Sequence, residues 1–150
     1  FGQTAGAGIL RVSWMTDGGP VITSRTYTTV ATGGTYGQSI DPVAGLANES
    51  FVPGLRNDAS YRTNIGIVNG GSEAEEFTVI ALSASGTEVA RTTRTLPPGL
   101  QAQYALVSLF PSITNGTYTL HLQGDANALL FAYASMVDNR SGDPVFYGGR

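Results

Sequence analysis

Apolar and polar positions alternate with a period of two through most of the 150 residues, and Gly, Asn, Asp or Pro breaks the alternation every eight to twelve residues or so. Successive side chains of a strand point to opposite faces, so each alternating run predicts a strand with one apolar face. GILRVSW puts Leu10, Val12 and Trp14 on one face and Ile9, Arg11 and Ser13 on the other. LQAQYAL sets Leu100, Ala102, Tyr104 and Leu106 inward, GTYTLHL does the same with Tyr118, Leu120 and Leu122, and SYRTNIGIV with Tyr61, Thr63, Ile65 and Ile67. EFTVIALSASGTEVARTTRTL reads as a hairpin reversing at Ala84, Ser85 and Gly86. ALLFAYASMV is apolar on both faces, which places it mid-sheet or under a second layer. VDNRSGDPVF turns through Asn139 to Gly142 and leaves along a strand interrupted by Pro144. This spacing predicts an all-β fold, an antiparallel sandwich or barrel.

The pattern also repeats. GILRVSWMTDGGPVITSRTYTTVATGG, 8–34, aligns without a gap on GTYTLHLQGDANALLFAYASMVDNRSG, 116–142, at an offset of 108, with Gly8 on Gly116 and Gly34 on Gly142. Identities are few; what matches is the order of strand, Asp/Gly turn, strand and Gly-containing turn. Residues 51–150 therefore read as one complete sandwich unit, and 1–40 as a truncated β half-unit of two to three strands. Residues 41–50, DPVAGLANES, are the expected linker. The chain opens at Phe1 in the middle of a unit, as a processed or truncated N-terminus would. A lone hairpin is marginal in water, so Leu10, Val12 and Trp14 need a cover. The second unit, another copy of the chain or an upstream segment could supply it.

Charge narrows the partners. Charged residues make up 13%, the net charge is −3, and all eight basic residues are Arg, scattered among acids. No basic stripe matches a phosphate backbone, so nucleic acid is not expected. The longest apolar run, Ala128 to Ala134, is far short of the roughly 20 residues of a spanning helix, and no membrane span is expected. With no Cys there is neither a disulfide nor a thiolate site. Low charge with abundant Thr, Ser and Gly suits an exported bacterial protein at the cell surface or outside it.

Candidate chemistry is thin. The single histidine, His121, lies on the outward face of its strand with no Cys or G-x-S-x-G turn to activate. Glu75 and Glu76 are adjacent in a strand and face opposite ways, so they cannot bracket a glycosidic bond. DNRSGD misses the spacing of a calcium loop and reads as a hairpin turn. No catalytic residue, metal site or cofactor is expected, and the protein is not expected to be an enzyme. In GLRNDASYRTN, Arg56, Asp58 and Arg62 read as an ion-pair network pinning an irregular segment; the functional alternative is a recognition site of Arg56, Tyr61 and Arg62.

Through FVPGLRNDASYRTNIGIVN, RTLPPGLQAQYALVSLF and FAYASMVDNRSGDPVFY, the chain resembles a family of immunoglobulin-like β-sandwich repeats in exported bacterial proteins, well over 51–147 and weakly, as a truncated second copy, over 1–40. The resemblance implies that RTNIGIVN is an early core strand, that LPPG precedes a core-facing strand, and that VDNRSGDP closes the last hairpin. It further implies a spacer, adhesive module or appendage of a larger surface protein. The expectation is thus an immunoglobulin-like antiparallel β-sandwich with an N-terminal half-repeat, structural and interactive in role. Its expected partner is itself or other domains of a surface protein. Self-association is expected by strand addition through Leu10, Val12 and Trp14, with a head-to-tail fibre subunit as one form. The alternative is a glycan-binding or adhesive module presenting Tyr and Arg.

Overall fold

A computed structural model describes residues 8–15, 17–29, 31, 33–43, 45–113 and 115–150. Ten strands and one helical turn among them follow much of the predicted alternation: β1 Ser24–Thr29, β2 Thr35–Ile40, β3 Glu49–Asn57, β4 Tyr61–Asn69, β5 Glu75–Ser83, β6 Glu88–Leu96, β7 Gln101–Ala105, α1 Leu106–Leu109, β8 Gly116–Gly124, β9 Leu130–Asp138 and β10 Pro144–Gly148. Two four-stranded antiparallel sheets, ordered β10-β9-β4-β7 and β3-β8-β5-β6, face one another as a β-sandwich. The hairpin β1-β2 forms a separate two-stranded sheet. No helix among the described residues is long and apolar enough to cross a membrane.

The core lies between the sheets. Ile65 and Ile67 of β4 and Ala132 and Ala134 of β9 meet Val52, Leu55, Phe77, Val79, Leu120 and Leu122 of the opposite sheet, all of them buried. Thr63 joins the buried face of β4, and its hydroxyl donates to the Arg56 carbonyl at 2.6 Å. The chain crosses from β7 to β8 through α1, and Leu106, Leu109, Phe110 and Ile113 of this connection join the core. Leu106 is therefore inward on a helical turn instead of a strand, and Leu100 is exposed ahead of β7. β9 sits mid-sheet between β10 and β4, with Leu130, Ala132 and Ala134 buried in the core and Phe131 and Tyr133 half-buried on the other face. Pro144, lacking an N–H, opens the edge strand β10, where its missing donor costs least.

A buried amide ties the turns together. Asn69 ends β4 with 1% exposure, and its Nδ2 donates to the carbonyls of Glu73 at 2.8 Å, Leu96 at 3.0 Å and Pro97 at 3.3 Å. Its Oδ1 accepts the Gly71 N–H at 2.9 Å. Every polar atom of this buried side chain thus has a partner, and the LPPG turn is anchored to the β4-β5 connection.

The N-terminal region differs from its expectation. Residues 8–14 carry no strand, and Leu10, Val12 and Trp14 are 68%, 38% and 54% exposed. A strand exists only as the partner of another, and among the described residues none pairs with 8–14. The hairpin is β1-β2, one element further along; of the expected TDGG turn, Asp17 and Gly18 form a bend, and Thr16, like Phe1, lies outside the described residues. Shifted by 108 positions, β1 falls within β9, β2 falls on β10, and 8–14 fall within β8. The expected linker is shorter than 41–50: Ala47 already bridges to Leu130, and β3 begins at Glu49.

Candidate functional site

Three surfaces concentrate the candidate residues. The first is the segment 8–15. Its Ile9, Leu10, Val12, Trp14 and Met15 are all exposed, and the Trp14 indole lies over Gly19, where a Cβ would collide with the ring. The hairpin that follows rests against β10, with β2 alongside it and the Ser135 hydroxyl donating to Gln38 Oε1 at 3.1 Å.

The second is the end of the sandwich where the β3-β4 and β9-β10 turns meet. Asp58 Oδ1 accepts the backbone N–H groups of Ser60 at 2.7 Å and Tyr61 at 2.9 Å, while Oδ2 takes the Arg56 guanidinium at 2.8 Å. Arg56 also lies over the Tyr61 ring, 4.2 Å from its centroid. Desolvation pushes the Asp58 carboxyl up, but these backbone and guanidinium donors together hold it below the usual range. Arg62 takes no part in that ion pair: it donates to Asn139 Oδ1 at 2.8 Å, and Asn139 donates in turn to the Ala59 carbonyl at 3.2 Å. The structure thus unites Arg56 with Tyr61 and sends Arg62 to the neighbouring turn. There Asp138 Oδ1 accepts the N–H groups of Arg140 at 2.7 Å and Ser141 at 3.0 Å, and the Ser141 and Arg140 donors hold its carboxyl down.

The third surface assembles residues from separate strands. On the outer face of β10-β9-β4-β7 the rings of Phe146, Tyr133 and Phe131 form a row, with centroids 5.4 Å and 6.4 Å apart. Gly66 of β4 stands opposite Tyr133, and a Cβ there would fall inside its ring, so the ring lies flat on the sheet because that position is glycine. The Gln101 amide hydrogen-bonds the Tyr133 hydroxyl; desolvation, the larger influence, raises that phenol above its ordinary value. Phe131 and Phe146 continue into a groove of about 730 Å³, which Pro42, Val43 and Pro53 also line. The sequence signals for it are the two apolar faces of ALLFAYASMV and a glycine inside a core strand, set between Ile65 and Ile67.

On the opposite sheet His121 stacks on Phe51 with centroids 4.2 Å apart, and its Nε2 lies 2.7 Å from Glu49 Oε1. Among the described residues no group of three or more His, Asp and Glu stands close enough to hold a metal ion.

No family model matches the chain, and no curated protein matches it. Among solved structures it is similar to the crystal structure of Thermotoga maritima 1070, with a TM-score of 0.55 and 16% identity, covering 71% of this chain and 95% of that one. The likeness is one of fold.

Proposed function

We propose that the chain is a non-catalytic structural and interaction module of the bacterial cell exterior that self-associates by strand addition through Leu10, Val12 and Trp14. The observation that carries this reading is the exposure of those three side chains on a segment with strand alternation and, among the described residues, no partner strand. By joining the edge of another sheet, an unpaired segment of this kind exchanges water for inter-strand hydrogen bonds and buries its apolar side chains. The pairing of His121 with Glu49 and Phe51 further supports a structural use of the one histidine. Sedimentation velocity over a dilution series tests the reading: mass rising with concentration supports it, and a monomer at every concentration overturns it.

A second reading is favoured by the aromatic row. Rings laid on a sheet beside an amide side chain suit the apolar faces and hydroxyls of a sugar, so Phe131, Tyr133 and Phe146 form the better glycan platform. Arg56 and Tyr61 are already stacked on each other and serve the turn. A glycan array on which Tyr133→Ala binds as the parent does, or on which nothing binds, removes this alternative.

A further inference from the structure

We infer that the acceptor for the N-terminal segment is the open edge of β7 in a second copy of the chain. This rests on the self-association reading and names its other half.

The sandwich has four terminal strands, β3, β6, β7 and β10. β3 is occupied and irregular: Phe51 and Arg150 exchange backbone hydrogen bonds at 2.8 and 3.0 Å, and the pairing shifts between Val52 and Leu55, around Pro53. β10 starts with proline and has β2 lying against it. β6 carries Glu88, Arg91 and Arg94, charges of the kind that keep an edge from pairing. β7, QAQYA, has no charge, no proline and an unbroken register with β4.

Its hydrogen-bonding side can be assigned. The Asn69 N–H donates to the Leu100 carbonyl at 2.9 Å, in register with the β4-β7 ladder. Bonded pairs alternate in an antiparallel ladder, so Ala102 and Tyr104 bond to β4, and Gln101, Gln103 and Ala105 turn their backbone N–H and C=O groups to the open edge. The donor segment from Gly8 to Trp14 is long enough to cover the 5 residues of β7. In the added strand Leu10, Val12 and Trp14 continue the apolar face on which Ala102 and Tyr104 pack against the core, and Arg11 stays outward.

The donor segment leads into the hairpin lying at β10, whereas β7 is at the opposite edge of that sheet. Donor and acceptor are different surfaces, so the contact is heterologous and head to tail, and it builds a ring or an open fibre.

Trp14 is the sole tryptophan, so its fluorescence reports the donor directly. The full chain is diluted serially while emission and sedimentation are followed, alongside Val12→Asp, which disables the donor, and Gln103→Pro and Gln103→Lys, which disable the acceptor edge without touching a β4-β7 hydrogen bond. The expected result is a blue shift that grows with mass in the parent, and a dissociation constant raised by about tenfold or more in each variant, with thermal melts of the dilute, monomeric samples unchanged. Mixing Val12→Asp with Gln103→Lys then gives a capped heterodimer and nothing longer. If the parent associates and both Gln103 variants associate equally well, the β7 assignment is wrong while self-association stands. If the parent stays monomeric throughout, the self-association reading itself fails.

Discussion

The hairpins β1-β2 and β9-β10 are near copies in different surroundings. Each is closed by five intervening residues, each has a glycine at positive φ at the equivalent point, Gly34 and Gly142, and their registers differ by one residue after the shift of 108. Yet β1 is exposed along its whole length, whereas β9 is largely buried. The difference is β4, which pairs with β9 along nine residues and has no equivalent beside β1 among the described residues. Turn chemistry and alternation suffice to close a hairpin; burial requires the neighbouring strand and the facing sheet.

The comparison is broken most forcefully in the core. Ile67→Ala, at a fully buried position of β4, is expected to cost about 2–5 kcal/mol in denaturant unfolding, whereas Leu10→Ala, in a dilute monomeric sample, is expected to change stability by no more than about 0.5 kcal/mol. Equal losses would mean that the N-terminal segment is covered within the monomer. Asn69→Ala leaves the carbonyls of Leu96 and Glu73 without their donor and is expected to cost about 1–3 kcal/mol by the same assay. Gly66→Val drives a side chain into the Tyr133 ring and is expected to cost about 1–3 kcal/mol and to displace the phenol, visible as a change in near-ultraviolet circular dichroism.

The smallest effect is acidic. Asp58 and Asp138 are both held below the ordinary value of 3.8, so their contribution is complete above that value and is lost as pH falls through their lower folded values. The melting temperature is therefore expected to drop below about pH 4, and Asp58→Asn to flatten part of that drop without altering Trp14 emission. A slope unchanged by the substitution would assign the acid sensitivity elsewhere.

Much of the sandwich was legible because alternation maps directly onto the pleat: Thr63, Ile65 and Ile67 face inward as the period-two reading requires, as do Leu120 and Leu122. The expected strand at 8–14 failed for the complementary reason, since alternation states which face is apolar and not whether a partner is present. The expected network of Arg56, Asp58 and Arg62 was half right, because two arginines on either side of a turn compete for one carboxylate, and Asn139 draws Arg62 away. That partner is distant in sequence and adjacent only once the two turns meet.

The amino-acid order alone determined the fold class, the turns and most of the inward sets, because a strand's side chains alternate whatever lies beside it. Only the tertiary structure decided which strand is central and which is an edge, where the aromatic row assembles, and that the leading apolar segment lies uncovered among the described residues. These are properties of pairing between segments far apart in the chain, and no local pattern carries them.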